Sequence, residues 1–353
     1  MRWQLVAFVV ALILTTAASL RAQYTSNLTV NGYTSLEFEK QIGEEGNGDP
    51  NGSFDADLFD LVLNFQVNDA IRASADLTWE HGAATEDGLG NVAVEYAFIE
   101  YAASDLLKVR VGKMFIPFGV FNEIHTAKPA FLSVKEPASL NKTERIVDNA
   151  FRFYPRWGAG IAVRGDGLIG ERSFSYDVFL SNGEQSETNP FEEDNNTAKA
   201  VTGRFRFEPN DAFEIGNSFY YDKADADGVN HLTSYGLEFR YQSRAWRVLA
   251  EYAFGWLTPL EGEDVLQTGW YVQPSYEFDN GMTPYLRFER VDPDTDVTND
   301  HGYDFIVGLN WEVAPGFMFK IENNYFKGAD DSSLAVFPGN GYSEIKAAVV
   351  LGF

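Results

Sequence analysis

The chain has 353 residues, no cysteine and a formal net charge of −25. The missing cysteines exclude a disulfide scaffold, a zinc ribbon and thiol catalysis, and the acidity argues against a nucleic-acid partner, which would need a basic surface. A mean hydropathy of −0.24 looks unlike a membrane protein, yet lipid-facing and interior-facing residues average out in a β-barrel.

Residues 1–22 read as an export signal. Arg2 supplies a positive start, Leu5 to Ala18 an apolar core, and Arg21-Ala22-Gln23 a cleavage region. Cleavage after Ala22 is expected, with Ala18 as the other candidate. The remaining chain, 23–353, would carry 25 bases and 52 acids, a net charge of −27. No later stretch approaches the length of a transmembrane helix.

From there one pattern repeats: segments of about ten residues alternate apolar and polar, the period of a strand. Ile71, Ala73, Ala75, Leu77 and Trp79 share a face opposite Arg72, Ser74, Asp76 and Thr78. Trp246 to Phe254 and Asp304 to Glu312 alternate in the same way. Sixteen strands are predicted, centred near Gly32, Leu61, Ala75, Tyr96, Val109, Ala162, Tyr176, Gly203, Gly216, Leu237, Leu249, Gln273, Leu286, Val307, Phe319 and Val349. Short connections rich in Asn, Asp, Gly or Pro, such as Asn68-Asp69, Gly165 to Glu171 and Gln242-Ser243, alternate with long acidic ones. That asymmetry predicts an all-β, transmembrane antiparallel barrel of about sixteen strands, with short periplasmic turns and long extracellular loops. Closure follows from physics, because in lipid a sheet cannot leave an unpaired edge. Tyr220, Tyr221, Tyr271, Phe278 and Tyr325 are expected in the aromatic girdles at the two interfaces.

The fifth connection, 114–156, is the longest and is expected to fold inward as a constriction. It holds Phe115, Phe118, Phe121, Phe131, Phe151 and Phe153, too much apolar surface for a solvated tail. From Lys113 to Arg156 the bases Lys113, Lys128, Lys135, Lys142, Arg145, Arg152 and Arg156 outnumber Glu123, Glu136, Glu144 and Asp148, leaving a local +3. Two readings stay open. The bases either bias a pore toward anions, or pair with interior acids or lipid A phosphates.

The strand phase also points a ladder of bases inward: Arg72, Lys108, Arg110, Arg164, Arg204 and Arg206, continuing with Arg240, Arg247, Arg287 and Lys320. Inward acids, among them Glu37, Asp60, Asp177, Glu251, Glu289 and Glu322, are interleaved with them. A mixed interior suits a general or weakly selective pore. Ile345, Ala347, Val349, Leu351 and Phe353 make an apolar last strand, and its terminal Phe353 resembles the assembly signal of bacterial outer-membrane proteins.

The run Arg110-Val111-Gly112-Lys113 followed by Pro117-Phe118-Gly119, and the later Tyr176 to Gly183, resemble motifs of porins of the phosphate-selective O/P type. The resemblance implies a Gram-negative, sixteen-stranded, homotrimeric channel with an infolded third loop. Small hydrophilic or anionic solutes, outer-membrane lipid, lipopolysaccharide and the barrel assembly machinery are the expected partners. No cofactor, metal or catalytic residue is expected. Asp292-x-Asp294-x-Asp296 lacks the Gly and Glu of a calcium loop, and His81, His125, His231 and His301 are scattered over long loops. The alternatives are a barrel enzyme or a secreted β-rich binding protein.

Overall fold

The computed structural model describes residues 27–43, 50–80, 92–124, 126–140, 153–183, 194, 196–223, 229–329 and 337–353. The expected export signal therefore lies outside the described residues. The strands are β1 (Asn27–Ile42), β2 (Ser53–Gln66), β3 (Ile71–Glu80), β4 (Ala93–Ser104), β5 (Leu107–Phe115), β6 (Trp157–Ile169), β7 (Arg172–Ser181) and β8 (Ala200–Asn210). They continue as β9 (Phe213–Asp222), β10 (Val229–Ser243), β11 (Trp246–Pro259), β12 (Val265–Tyr276), β13 (Met282–Asp292), β14 (Gly302–Ala314), β15 (Phe317–Gly328) and β16 (Tyr342–Gly352). All sixteen predicted centres fall inside them.

Every strand pairs antiparallel with its chain neighbours, and β1 closes on β16 into one barrel. Phe353 finishes the seam: its backbone N–H and C=O exchange 2.8 Å hydrogen bonds with Gly32. Two of the short turns differ from the prediction. β6 and β7 run through most of the expected 165–171 turn and leave only Gly170-Glu171, because Asp166 to Ile169 pair fully with Arg172 to Ser175. Likewise the 242–243 turn moves to Arg244-Ala245, with Arg244 at φ 54°.

Burial is inverted relative to a water-soluble protein. Outward residues are apolar and exposed: Ile99 is 61% accessible, Val111 53% and Ile321 52%. Inward residues are polar and buried, among them Asp60, Arg287, Glu289 and Lys320. An apolar belt of this extent marks contact with another apolar phase. No helix among the described residues is long and apolar enough to cross a membrane.

The girdle expectation needs one correction. Tyr221, Phe278 and Tyr325 are exposed as predicted, but Tyr220 and Tyr271 are buried and face inward. Their hydroxyls explain it, since Tyr220 donates to Asp222 at 3.0 Å and Tyr271 to Glu251 at 2.6 Å.

Candidate functional site

The described residues of the connection between β5 and β6 (116–124, 126–140 and 153–156) pack inside the barrel, across the wall formed by β8 to β16 and β1. Its apolar residues Ile116, Phe118, Phe121, Phe131 and Phe153 join Tyr220, Leu232, Leu257 and Tyr271 in one buried cluster. Phe118 stacks on Tyr154 with centroids 4.5 Å apart, and Phe121 meets Phe131 and Tyr271 edge-on. Room for this comes from inward glycines on the wall. A Cβ at Gly269 would stand 2.2 Å from the Ser139 carbonyl oxygen, and one at Gly236 would stand 2.8 Å from the Phe118 ring. Inward glycine on otherwise regular strands is the signal that sequence reasoning left unused.

The loop backbone has few partners of its own, so the wall supplies them. Glu251 accepts from the Val120 N–H at 3.0 Å, Glu289 from Ser139 at 2.9 Å and Glu322 from Val134 at 2.9 Å. Cations take the carbonyls. Lys320 Nζ donates to Lys128, Phe131 and Ser133 at 2.6, 2.6 and 3.0 Å. Arg204 donates to Gly119, and Arg287 to Lys135 and Glu136. Buried backbone groups need such partners. Many interior charges that look like pore lining in the sequence are therefore fasteners for the loop.

Of the bases described, Lys128, Lys135 and Arg156 meet carboxylates. Lys128 Nζ lies 2.7 Å from Glu37 and 3.3 Å from Asp57. Lys135 meets Glu37 at 2.7 Å, and Glu39 and Asp57 further out. Burial alone would lower the Lys135 pKa; the carboxylates of Glu37 and Asp57 reverse that and hold it well above the usual lysine range. Arg156 reaches Glu136 at 3.3 Å. Lys113 takes the outward phase of Val111, opposite Ala97, and its Nζ donates to the Val94 carbonyl and lies 5.2 Å from the Trp157 ring centroid. Lys142, Arg145 and Arg152 lie outside the described residues.

The wall on the other side, β3 to β7, carries arginines that continue into Arg204 on the adjoining β8. Register sets them in two rows. Arg72, Glu100 and Arg110 stand side by side on β3, β4 and β5. Lys108, Arg164, Asp177 and Arg204 follow on β5 to β8. Arg72 and Arg110 both hold Glu100 through Nε, at 2.7 and 2.5 Å. Asp177 is shared by Arg164 and Arg204, each at 3.3 Å, and Arg204 also pairs with Glu123 of the loop. Part burial would raise the Glu123 carboxyl; the charge of Arg204, with Arg164 behind it, outweighs this and brings it down to about 2. Arg72, Arg110, Arg164, Glu123 and Asp177 line a recess of about 250 Å³ between the loop and this wall. Nearer the short turns, Lys108 and Arg206 share a second recess with Asp105, Asp166, Glu208 and Glu214.

The closed sixteen-stranded antiparallel barrel matches solved outer-membrane porins in fold. An anion-selective porin from Comamonas acidovorans superimposes with a TM-score of 0.65 at 10% identity, covering 93% of this chain and 100% of that one. OmpF of Salmonella typhi, solved with daunomycin, gives 0.64 at 11% identity over 92% of this chain and 97% of its own. The trimer form of OmpT from Vibrio cholerae gives 0.59 at 12% identity over 93% and 99%. At such identities the likeness is one of fold. In sequence the chain is 27% identical over 258 residues to an uncharacterized protein of Aquifex aeolicus, covering 67% of this chain and 55% of that protein. The chain thus spans about half the length of that curated relative. No family model matches it.

Proposed function

We propose that the chain is a passive diffusion channel of a bacterial outer membrane, with a weak preference for anions. The observation that carries this reading is the asymmetry of the interior. The infolded connection occupies one wall, and the opposite wall presents Arg72, Arg110, Arg164 and Arg204 against Glu100, Glu123 and Asp177. Within this paired set the four arginines exceed the three carboxylates by one charge, and a cationic excess in a low-dielectric wall favours anions. The bias comes from the wall arginines, because Lys128, Lys135 and Arg156 are spent on carboxylates. The apolar belt supplies the lipid contact, and the long connections would face the exterior and lipopolysaccharide. Assembly as a homotrimer is part of the proposal; a solved barrel of this fold is described in a trimer form. The phosphate preference implied by the O/P resemblance is not carried into it, since the acids match most of the bases.

The test is reconstitution in planar bilayers with reversal potentials in a KCl gradient, and phosphate as competitor. Anion-side reversal that weakens in Arg164→Gln supports the reading. Absence of channels, or strong cation selectivity, overturns it.

A further inference from the structure

The recess beneath the loop is lined by two kinds of residue. The charged ones are Arg72, Arg110 and Arg164 with Glu123 and Asp177; Arg164 and Arg204 answer Asp177 and Glu123, which leaves the pair Arg72 and Arg110. Arg72 and Arg110 each spend Nε on Glu100, and no hydrogen bond to a described residue takes up their Nη atoms. Their side chains remain 37% and 16% accessible, while Glu100 between them is buried. Both guanidiniums lie over the Phe98 ring, at 4.4 Å for Arg110 and 5.9 Å for Arg72. Stacking on a ring and a shared carboxylate hold the two forks in place. Glu100 cancels one of the two charges, so the pair is net positive, with its Nη donors taken up by no described residue. Arginine forks of this kind match a carboxylate bidentately.

The others are apolar: Met114, Phe115, Pro117 and Phe179 line the same 250 Å³ recess. A channel that selected only small inorganic anions has no use for such a surface next to its cations. A fixed cationic end beside an apolar wall is the lining of a binding site, where apolar area supplies affinity and a few polar groups fix orientation.

We infer that this recess is a binding site for small organic monocarboxylates with an aromatic or short aliphatic body. The carboxylate lies on the Nη atoms of Arg72 and Arg110, and the body lies against Phe115, Pro117 and Phe179. The inference rests on the channel reading above and adds its solute class. It also predicts transient occupancy during passage. Binding there narrows the path that the loop leaves open, so a bound solute interrupts the current of small ions.

The test records KCl current through single reconstituted channels while sodium benzoate, inorganic phosphate or benzyl alcohol is added. Benzoate is expected to interrupt the current in a saturable way, at concentrations where phosphate and benzyl alcohol do not. The triple variant Arg72→Gln, Glu100→Gln, Arg110→Gln removes both forks without leaving a buried charge unpaired. It is expected to raise the half-blocking benzoate concentration at least about tenfold, the loss that follows from removing charge-assisted hydrogen bonds. Heat-dependent gel migration establishes that the variant barrel has folded, and Arg72→Gln alone serves if it has not. Equal interruption by phosphate overturns the inference, because the recess then reads charge alone. Equal interruption by benzyl alcohol overturns it from the apolar side. Anion-biased channels with no benzoate effect overturn it while the channel reading stands; no channels at all overturns both.

Discussion

Lys320→Met tests whether the wall holds the loop. The ammonium is buried and donates to three loop carbonyls at 2.6 to 3.0 Å. It also lies 4.6 Å from the Phe131 ring centroid. Methionine keeps the unbranched stem, so no large cavity opens, and only the donors and the charge are lost. Each hydrogen bond to a charged group is worth ~1.5–3 kcal/mol. Against that stands the relief of desolvating an ammonium, several kcal/mol. What remains is the cost of three carbonyls without a donor, about 1 kcal/mol each, or about 3 kcal/mol in all. That shifts the docked-to-undocked ratio of segment 128–133 on the order of a hundredfold. The assay is single-channel recording. Lys320→Met is expected to show larger conductance and more open-channel noise than the parent protein. The barrel itself, held by sixteen strand pairings, keeps its heat-dependent gel migration. A folded variant with unchanged conductance and noise would refute the view that interior charges fasten the loop.

Gly269→Ala approaches the same loop from a different side. The new Cβ meets the Ser139 carbonyl oxygen at 2.2 Å, a backbone atom that cannot rotate away, and the 2.9 Å bond from Ser139 to Glu289 is lost with the shift. Raised conductance is expected, while Gly203→Ala, with open space around its Cβ, leaves conductance unchanged; equal effects of the two would count against loop displacement. The Glu123–Arg204 pair predicts a pH response. Glu123 has its carboxyl at about 2 in the folded chain, below the ~4.3 of an unfolded glutamate. Its stabilisation is therefore fully present above about pH 4.3 and lost as pH falls toward 2. Conductance of the parent channel should change across that window, and Glu123→Gln should lack that part of the change; superimposable pH profiles would contradict it.

The fold was legible in the sequence because a half-apolar strand has a period of two that nothing else imitates over sixteen segments. Ile71 to Trp79 shows it without any contact information. The alternation also sets Arg72, Arg110, Arg164 and Arg204 on one face of their strands, since the pleat alone decides which face a residue takes. Reading Tyr220 and Tyr271 as girdle residues failed for the complementary reason. An aromatic ring suits either face, and the hydroxyl partners Asp222 and Glu251 decide between them.

Charge counted along the loop does not reveal its partners. A count of seven bases against four acids cannot show that Lys128 and Lys135 end beside Glu37, some ninety residues away on β1. By itself the sequence determined the strands, their number, the apolar outer face and the inward arginines, because these follow from backbone geometry and local patterning. Only the tertiary structure decided which wall the long connection covers, which interior charges fasten it and which arginines keep free donors. Those outcomes depend on pairings between distant segments, where burial makes every unmatched polar group costly and so selects one arrangement.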